Sequence, residues 1–149
     1  MSGAVRAVVW IVEGTWEATV DAARALLPAD ADVVLLHVAG DAEAVVRGAR
    51  RGLLGRHPHP PPGPDPVSTA TEEEARELLA EARGRLGREA TVVARRGRAE
   101  DEVLAELEGA DLLVAARGGE PDHRGPKSIG HATRFVLDHA DCAVLLVRA

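Results

Sequence analysis

"DLLVAARGGEPDHRGPKSIGHATRFVLDHADCAVLLV", residues 111–147, holds a whole strand, loop, helix, strand unit. It opens with the apolar run "DLLVAA" at 111–116 and closes with a second, "CAVLLV" at 142–147. Between them, roughly over 128–139, Ile129, Ala132, Val136 and Ala140 fall on one helical stripe. Runs without polar alternation are apolar on both faces and need cover on both, the situation of a parallel sheet between helix layers. Similar runs stand at 7–12 ("AVVWIV"), at 32–38 ("DVVLLHV") and, more weakly, at 90–95 ("ATVVAR").

Helical patterns fill the intervals. After the first strand, Trp16, Val20, Ala23 and Leu27 repeat at helical spacing behind Thr15 as cap, and Pro28 stops the run. Residues 71–88 open with a capping box from Thr71 to Glu74 and place Ala75, Leu78, Leu79, Ala82 and Leu86 on one face. A short helix is expected over 99–108, with acids in its first turn and Gly109 as its stop. Alternating strands and helices predict a doubly wound α/β domain. A segment at about 55–67 breaks the pattern: 53–68 carries six of the chain's nine prolines and reads as a Pro/His-rich surface excursion that need not contribute to the core.

At 149 residues the chain fits one domain, 1–149, and no internal repeat is visible. Aromatic residues are confined to Trp10, Trp16 and Phe135, so the core must be built from Ala, Val and Leu. Too few rings remain to stack single-stranded nucleic acid, and a formal net charge of −6 disfavours a general polyanion binder. Cys142 is the single cysteine, which fits a reducing compartment; with no targeting or membrane-spanning pattern, a cytoplasmic protein is expected.

In an open parallel sheet, ligands bind beyond the carboxyl ends of the strands, where strand order reverses. That points to the loop "EGTW" after the first strand and "RGGEPDHRGPKSIG" after the fourth. Across 117–134 the cations Arg117, Arg124, Lys127 and Arg134 outnumber the anions Glu120 and Asp122, in an otherwise acidic chain. A positive glycine loop running into a helix N-terminus suits phosphate, because amides and helix dipole both face the anion. A solvated glycine loop with solubilising charges explains the same composition, and composition alone leaves both readings open.

The residues "VVWIVEGTWEA", "VVLLHV" and "DLLVAARGG…IGHATRFVLDHADCAVLLV" resemble the universal stress protein family (UspA-like), of the single-domain actinobacterial type. The likeness runs nearly end to end. It implies a five-stranded parallel sheet in the order 3-2-1-4-5 with helices on both faces, an adenine-nucleotide alpha-hydrolase-like fold, and an adenine nucleotide such as ATP between strands 1 and 4. It also implies a homodimer paired through the last strand, with Val144, Leu145 and Val147 at the dimer edge. Carried over by position, the family's acidic residue falls on Glu13, with Ile11 and Val12 beside the base and Val38 at the backbone position that meets adenine. Ala115 and Ala116 end the fourth strand.

The family's loop pattern, G-x2-G-x9-G-[ST], is matched only in part. Its first glycine falls on Ala116, its second on Gly119, and Gly130 closes the loop one residue late, followed by His131 and Ala132 where a small hydroxyl should begin the helix. Arg124 and Lys127 remain as phosphate-proximal cations. A Cβ at Ala116, the longer spacing and an imidazole at the helix start all work against a phosphate. The expected function is therefore a non-enzymatic stress-response protein in which nucleotide binding is weakened or lost, acting on protein partners that the sequence does not name. The alternative is an intact ATP-binding sensor.

A nucleotide-using enzyme ranks below both. "SIGH" at 128–131 faintly resembles the H-x-G-H of nucleotidyltransferases but lies in the wrong loop, and no nucleophile–base pair is evident. No catalytic or metal residues are assigned. His57 and His59 are too few for a metal site and read as solvated loop residues. His37 reads as a core histidine with a partner, His139 as a favourable group at a helix C-terminus, and Cys142 as buried and inert.

Overall fold

The computed structural model describes residues 3–40, 66–118 and 125–149. Five strands form one parallel sheet: β1 (Arg6–Trp10), β2 (Asp32–Gly40), β3 (Thr91–Gly97), β4 (Leu112–Ala116) and β5 (Ala143–Val147), in the order β3-β2-β1-β4-β5. Helices α1 (Trp16–Leu26), α2 (Pro66–Leu86), α3 (Ala99–Glu106) and α4 (His131–His139) connect them. The doubly wound sheet expected from the apolar runs is thus present, in the order that the resemblance implied.

Side chains alternate across the sheet, and both faces are apolar. Ala7, Val9, Val33, Leu35 and Val114 meet Val20 and Ala23 of α1 and Leu79, Ala82 and Leu86 of α2. On the other face Val8, Trp10, Val34, Leu36 and Leu113 meet Val103 of α3 and Val136 of α4. Helices that follow β1 and β2 cover one face, and those that follow β3 and β4 cover the other. The winding reverses between β1 and β4, which places the crevice there. No helix among the described residues is long and apolar enough to cross a membrane.

Several boundaries differ from the sequence expectation. Helix α2 begins at Pro66, inside the proline-rich stretch, so Thr71 lies within the helix and the Thr71–Glu74 pair is not its cap. Proline is compatible with a first helical turn, where its missing N–H has no partner to lose. The rest of that stretch, with His57 and His59, lies outside the described residues. Thr15 stands at the N-cap of α1 but makes no capping bond; its hydroxyl donates instead to the Val12 carbonyl at 3.4 Å. Strand β1 ends at Trp10 and β3 runs on to Gly97, because pairing is a backbone property that does not stop where apolar side chains do.

Arginines tie the elements together. Arg88, just after α2, donates to the carbonyls of Pro28, Ala29 and Ala31 at 2.8–3.0 Å and so holds the turn between α1 and β2. Arg95 of β3 pairs with Glu102 and Glu106 of α3 at 3.0 and 2.8 Å. At the start of the sheet Asp111 accepts from the Arg6 amide at 2.9 Å, clamping β1 to β4.

Leu35 is fully buried in the middle of the sheet. Leu35→Ala is expected to lower the unfolding free energy by about 2–5 kcal/mol, through lost transfer energy and the cavity left behind, as measured by urea denaturation.

Candidate functional site

The register Val9–Val114 brings the carboxyl ends of β1 and β4, Trp10–Ile11 and Ala115–Ala116, side by side at the edge of the crevice. Ile11 is fully buried, and its amide donates to the Leu36 carbonyl at 2.7 Å. Its side chain belongs to the core, so only its backbone is at the crevice. Val12 and Glu13 are exposed beyond it, and Gly14 turns the chain into α1 with φ 91°. From the neighbouring strand, His37 donates through Nδ1 to the Ile11 carbonyl at 2.9 Å. That contact provides the expected partner, although the ring is half-buried and not part of the core, and it fixes the peptide from which Val12 and Glu13 emerge. Val38 is half-buried and packs toward the core shared with Ala115 and Ala132.

On the β4 side, Ala115 and Ala116 are buried, and the loop returns at Gly125 through a 3-10 turn (Pro126–Ser128) to α4. The two ends of this loop are joined at a neck. Gly118 and Ile129 form an isolated antiparallel bridge, and the Gly130 amide donates to the Arg117 carbonyl at 2.7 Å. Gly118 has φ 71°, a conformation glycine adopts without strain. A Cβ on Gly130 would lie 2.8 Å from the Gly118 carbonyl carbon and closer still to its oxygen, so the neck closes only because position 130 has no side chain. Thr133, buried in the first turn of α4, donates its hydroxyl to the Ala116 carbonyl at 3.3 Å and pins the helix start to β4.

Side chains reinforce the neck from below. Arg117 is half-buried and donates through Nη2 to the Ser128 hydroxyl at 2.6 Å, which in turn donates to the Gly125 carbonyl at 2.7 Å. Its Nε is buried without a hydrogen-bond partner among the described residues. Neither Arg117 nor Ser128 was singled out as a site residue from the sequence, although a cation directly after a buried strand is an unusual place for one. Lys127 and His131 are exposed at the helix entrance, whereas Gly119 and Arg124 lie outside the described residues. The first-turn amides of α4 have no carbonyl partner within the helix and face the same entrance.

Two other groups noted in the sequence lie away from this crevice. His139, the last residue of α4, donates through Nδ1 to the Phe135 carbonyl at 2.8 Å and stacks on the Phe135 ring. Cys142 is half-buried, and burial is the main cause that pushes its thiol pKa up, away from the reactive thiolate.

A doubly wound parallel sheet with a crevice at its switch point defines an open α/β domain of ligand-binding architecture. The family model for the universal stress protein family matches residues 11–148, and the chain belongs to that family. Solved structures agree in fold. The hypothetical protein MJ0577 superposes with a TM-score of 0.70 at 18% identity, covering 97% of this chain and 96% of that one. A universal stress protein in complex with cAMP gives 0.59 at 15% identity, covering 99% and 98%. The universal stress protein from Archaeoglobus fulgidus in complex with dAMP gives 0.55 at 14%, covering 96% and 97%. No match was found among functionally curated proteins.

The neck geometry makes a sharp distinction between glycines. Gly130→Ala is expected to lose about 1–3 kcal/mol in chemical denaturation, since its Cβ must push the Gly118 peptide away. Gly84→Ala, in the open face of α2, is expected to gain about 0.5–1 kcal/mol from helix propensity alone.

Proposed function

We propose that this chain is a non-enzymatic universal stress protein that acts through protein contacts, with an adenine-nucleotide crevice whose phosphate end is degenerate. The observation that carries this reading is the inward use of the loop's donors. The Gly130 amide is committed to the Arg117 carbonyl and the Ser128 hydroxyl to the Gly125 carbonyl, so neither is free to meet a phosphate. Where the family pattern has a small hydroxyl, His131 begins α4, and the Ala116 methyl replaces the first glycine hydrogen. Lys127 and the α4 amides still favour an anion, and the relatives whose structures hold cAMP and dAMP support an adenine-type ligand for the crevice.

Each lost amide or charge-assisted contact to phosphate costs roughly 1.5–3 kcal/mol, so two losses move a micromolar site toward millimolar. Protein purified without added nucleotide is expected to release no stoichiometric adenine nucleotide on denaturation, as read by mass spectrometry. In calorimetry, ATP is expected to bind more weakly than about 100 µM, and Ala116→Gly with His131→Ser and one residue deleted between 120 and 127 should tighten it. Micromolar binding by the unaltered chain would overturn the degenerate reading in favour of an intact sensor.

We further infer a homodimer paired through β5. That strand is a sheet edge carrying Val144, Leu145 and Val147, all half-buried in the isolated chain, and an unprotected apolar edge favours pairing. Sedimentation is expected to show a dimer at micromolar concentration, with Leu145→Lys or Val147→Lys shifting it toward monomer. A monomeric unaltered protein would refute the pairing.

A further inference from the structure

The opposite edge of the sheet has a different character. Among the described residues β3 pairs with β2 alone, and in a parallel ladder alternate residues turn both their N–H and C=O away from the partner strand. Edge strands are usually guarded by charge or proline. Here the charged residues of β3 sit in its second half, where Arg95 is held by Glu102 and Glu106 and Arg96 by Glu72. The first half, Thr91 to Ala94, carries no charge, and Val92 is 42% exposed.

Beside this half-strand, α2 turns a face of small residues to solvent. Ala80 and Gly84, together with Val92 and Ala94, line an open groove, and a Cβ built on Gly84 would meet nothing within 4 Å. The groove is at the end of β3 away from Gly97, and α2 reaches it with its C-terminal half, far from Pro66. Its charge is opposite to that of the chain. Arg76, Arg83 and Arg88 line it against Glu89 alone, in a protein of formal net charge −6. Arg88 spends its donors on the carbonyls of the α1–β2 turn, while Arg76 and Arg83 make no ion pair among the described residues. Those two stand two helical turns apart on one face, about 10 Å, within reach of carboxylates along one side of an extended strand.

We propose that the β3 edge and the α2 groove receive an extended acidic segment of a partner protein, which adds to the sheet as a further strand and pairs its carboxylates with Arg76 and Arg83. Main-chain bonds to β3 would give affinity, and the arginines and the small-residue floor would select an acidic sequence with small or β-branched side chains between the acids. A second copy of this chain fits poorly, because edge-to-edge pairing would bring the same arginines against one another. The proposal is independent of whether the crevice holds nucleotide.

The test uses a fluorescein-labelled synthetic peptide of sequence Glu-Val-Glu-Val-Glu-Val-Glu and the full chain, followed by fluorescence anisotropy. Binding is expected with Kd of about 10–100 µM, weakening at least about tenfold with Arg76→Glu and Arg83→Glu together. Gly84→Gln keeps the fold, since a side chain there has open space and improves helix propensity, yet it fills the groove and should abolish binding. The same peptide N-methylated at alternate residues should not bind, having lost the donors of a strand. No binding at about 1 mM, unchanged affinity in either variant, or equal binding of the N-methylated peptide would overturn the proposal. Tighter binding of a single-stranded oligonucleotide of equal charge would overturn it in favour of a polyanion site.

Discussion

The position of β1 at the centre of the sheet is the constraint on which the other features depend. It is paired on both sides, and Ala7, Val8, Val9 and Trp10 are each no more than 6% exposed, so both of its faces must be covered by helices. A chain that leaves β1 can cover both faces only by winding outward one way through β2 and β3 and the other way through β4 and β5. The gap between the two windings opens beyond the carboxyl ends of β1 and β4. The crevice is thus a consequence of burying one apolar strand completely.

What stands over that crevice is decided by a backbone contact. The Gly118 carbonyl occupies the place a Cβ on residue 130 would need, and the amide of Gly130 closes the neck against Arg117. Arg117, Ser128 and Gly125 then form a short relay of donors and acceptors beneath it. An arginine held by a neutral hydroxyl has no carboxylate partner among the described residues, which favours an anion nearby, while the same bonds shape the described part of the loop without one. The two tendencies oppose each other at one site. In the proposed reading the committed donors outweigh the charge, because a phosphate binds through directed hydrogen bonds as much as through charge.

The arginines divide by what they face. Arg6, Arg85, Arg95 and Arg98 each meet a carboxylate, and Arg98 also lies 5.6 Å from the centre of the Phe135 ring. Exposed pairs such as Arg85 with Asp21 add little stability individually, although the arginine holds the Asp21 carboxyl below its ordinary pKa. The pairs to Glu106, whose side chain is only 10% exposed, join β1 and β3 to α3 and have more structural weight. Arg76 and Arg83 stand outside this pattern, on a groove where the acidic chain shows a positive face.

Five apolar runs and the helical stripes between them were enough to specify a doubly wound sheet, because side-chain periodicity is a local property written along the chain. Glu13, Val38 and Gly130 were placed at the mouth of the sheet by the family resemblance, carried over by position, and not by periodicity. Local pattern was misleading at one helix start: Thr71 has the chemistry of a cap, but α2 begins earlier, at Pro66, whereas Thr15 does stand at the start of α1 and lacks only the capping bond. The strap of Arg117 to Ser128 and the contact of Gly118 with Gly130 were not legible at all, and for His37 a partner could be expected but not named as the Ile11 carbonyl. Each joins residues separated by a loop or a whole element, and no periodicity connects them. The sequence by itself determined the sheet, its helix layers and the end at which a ligand would enter. Only the tertiary structure decided which donors remain for that ligand, because hydrogen bonds are allotted between chain segments after folding brings them together.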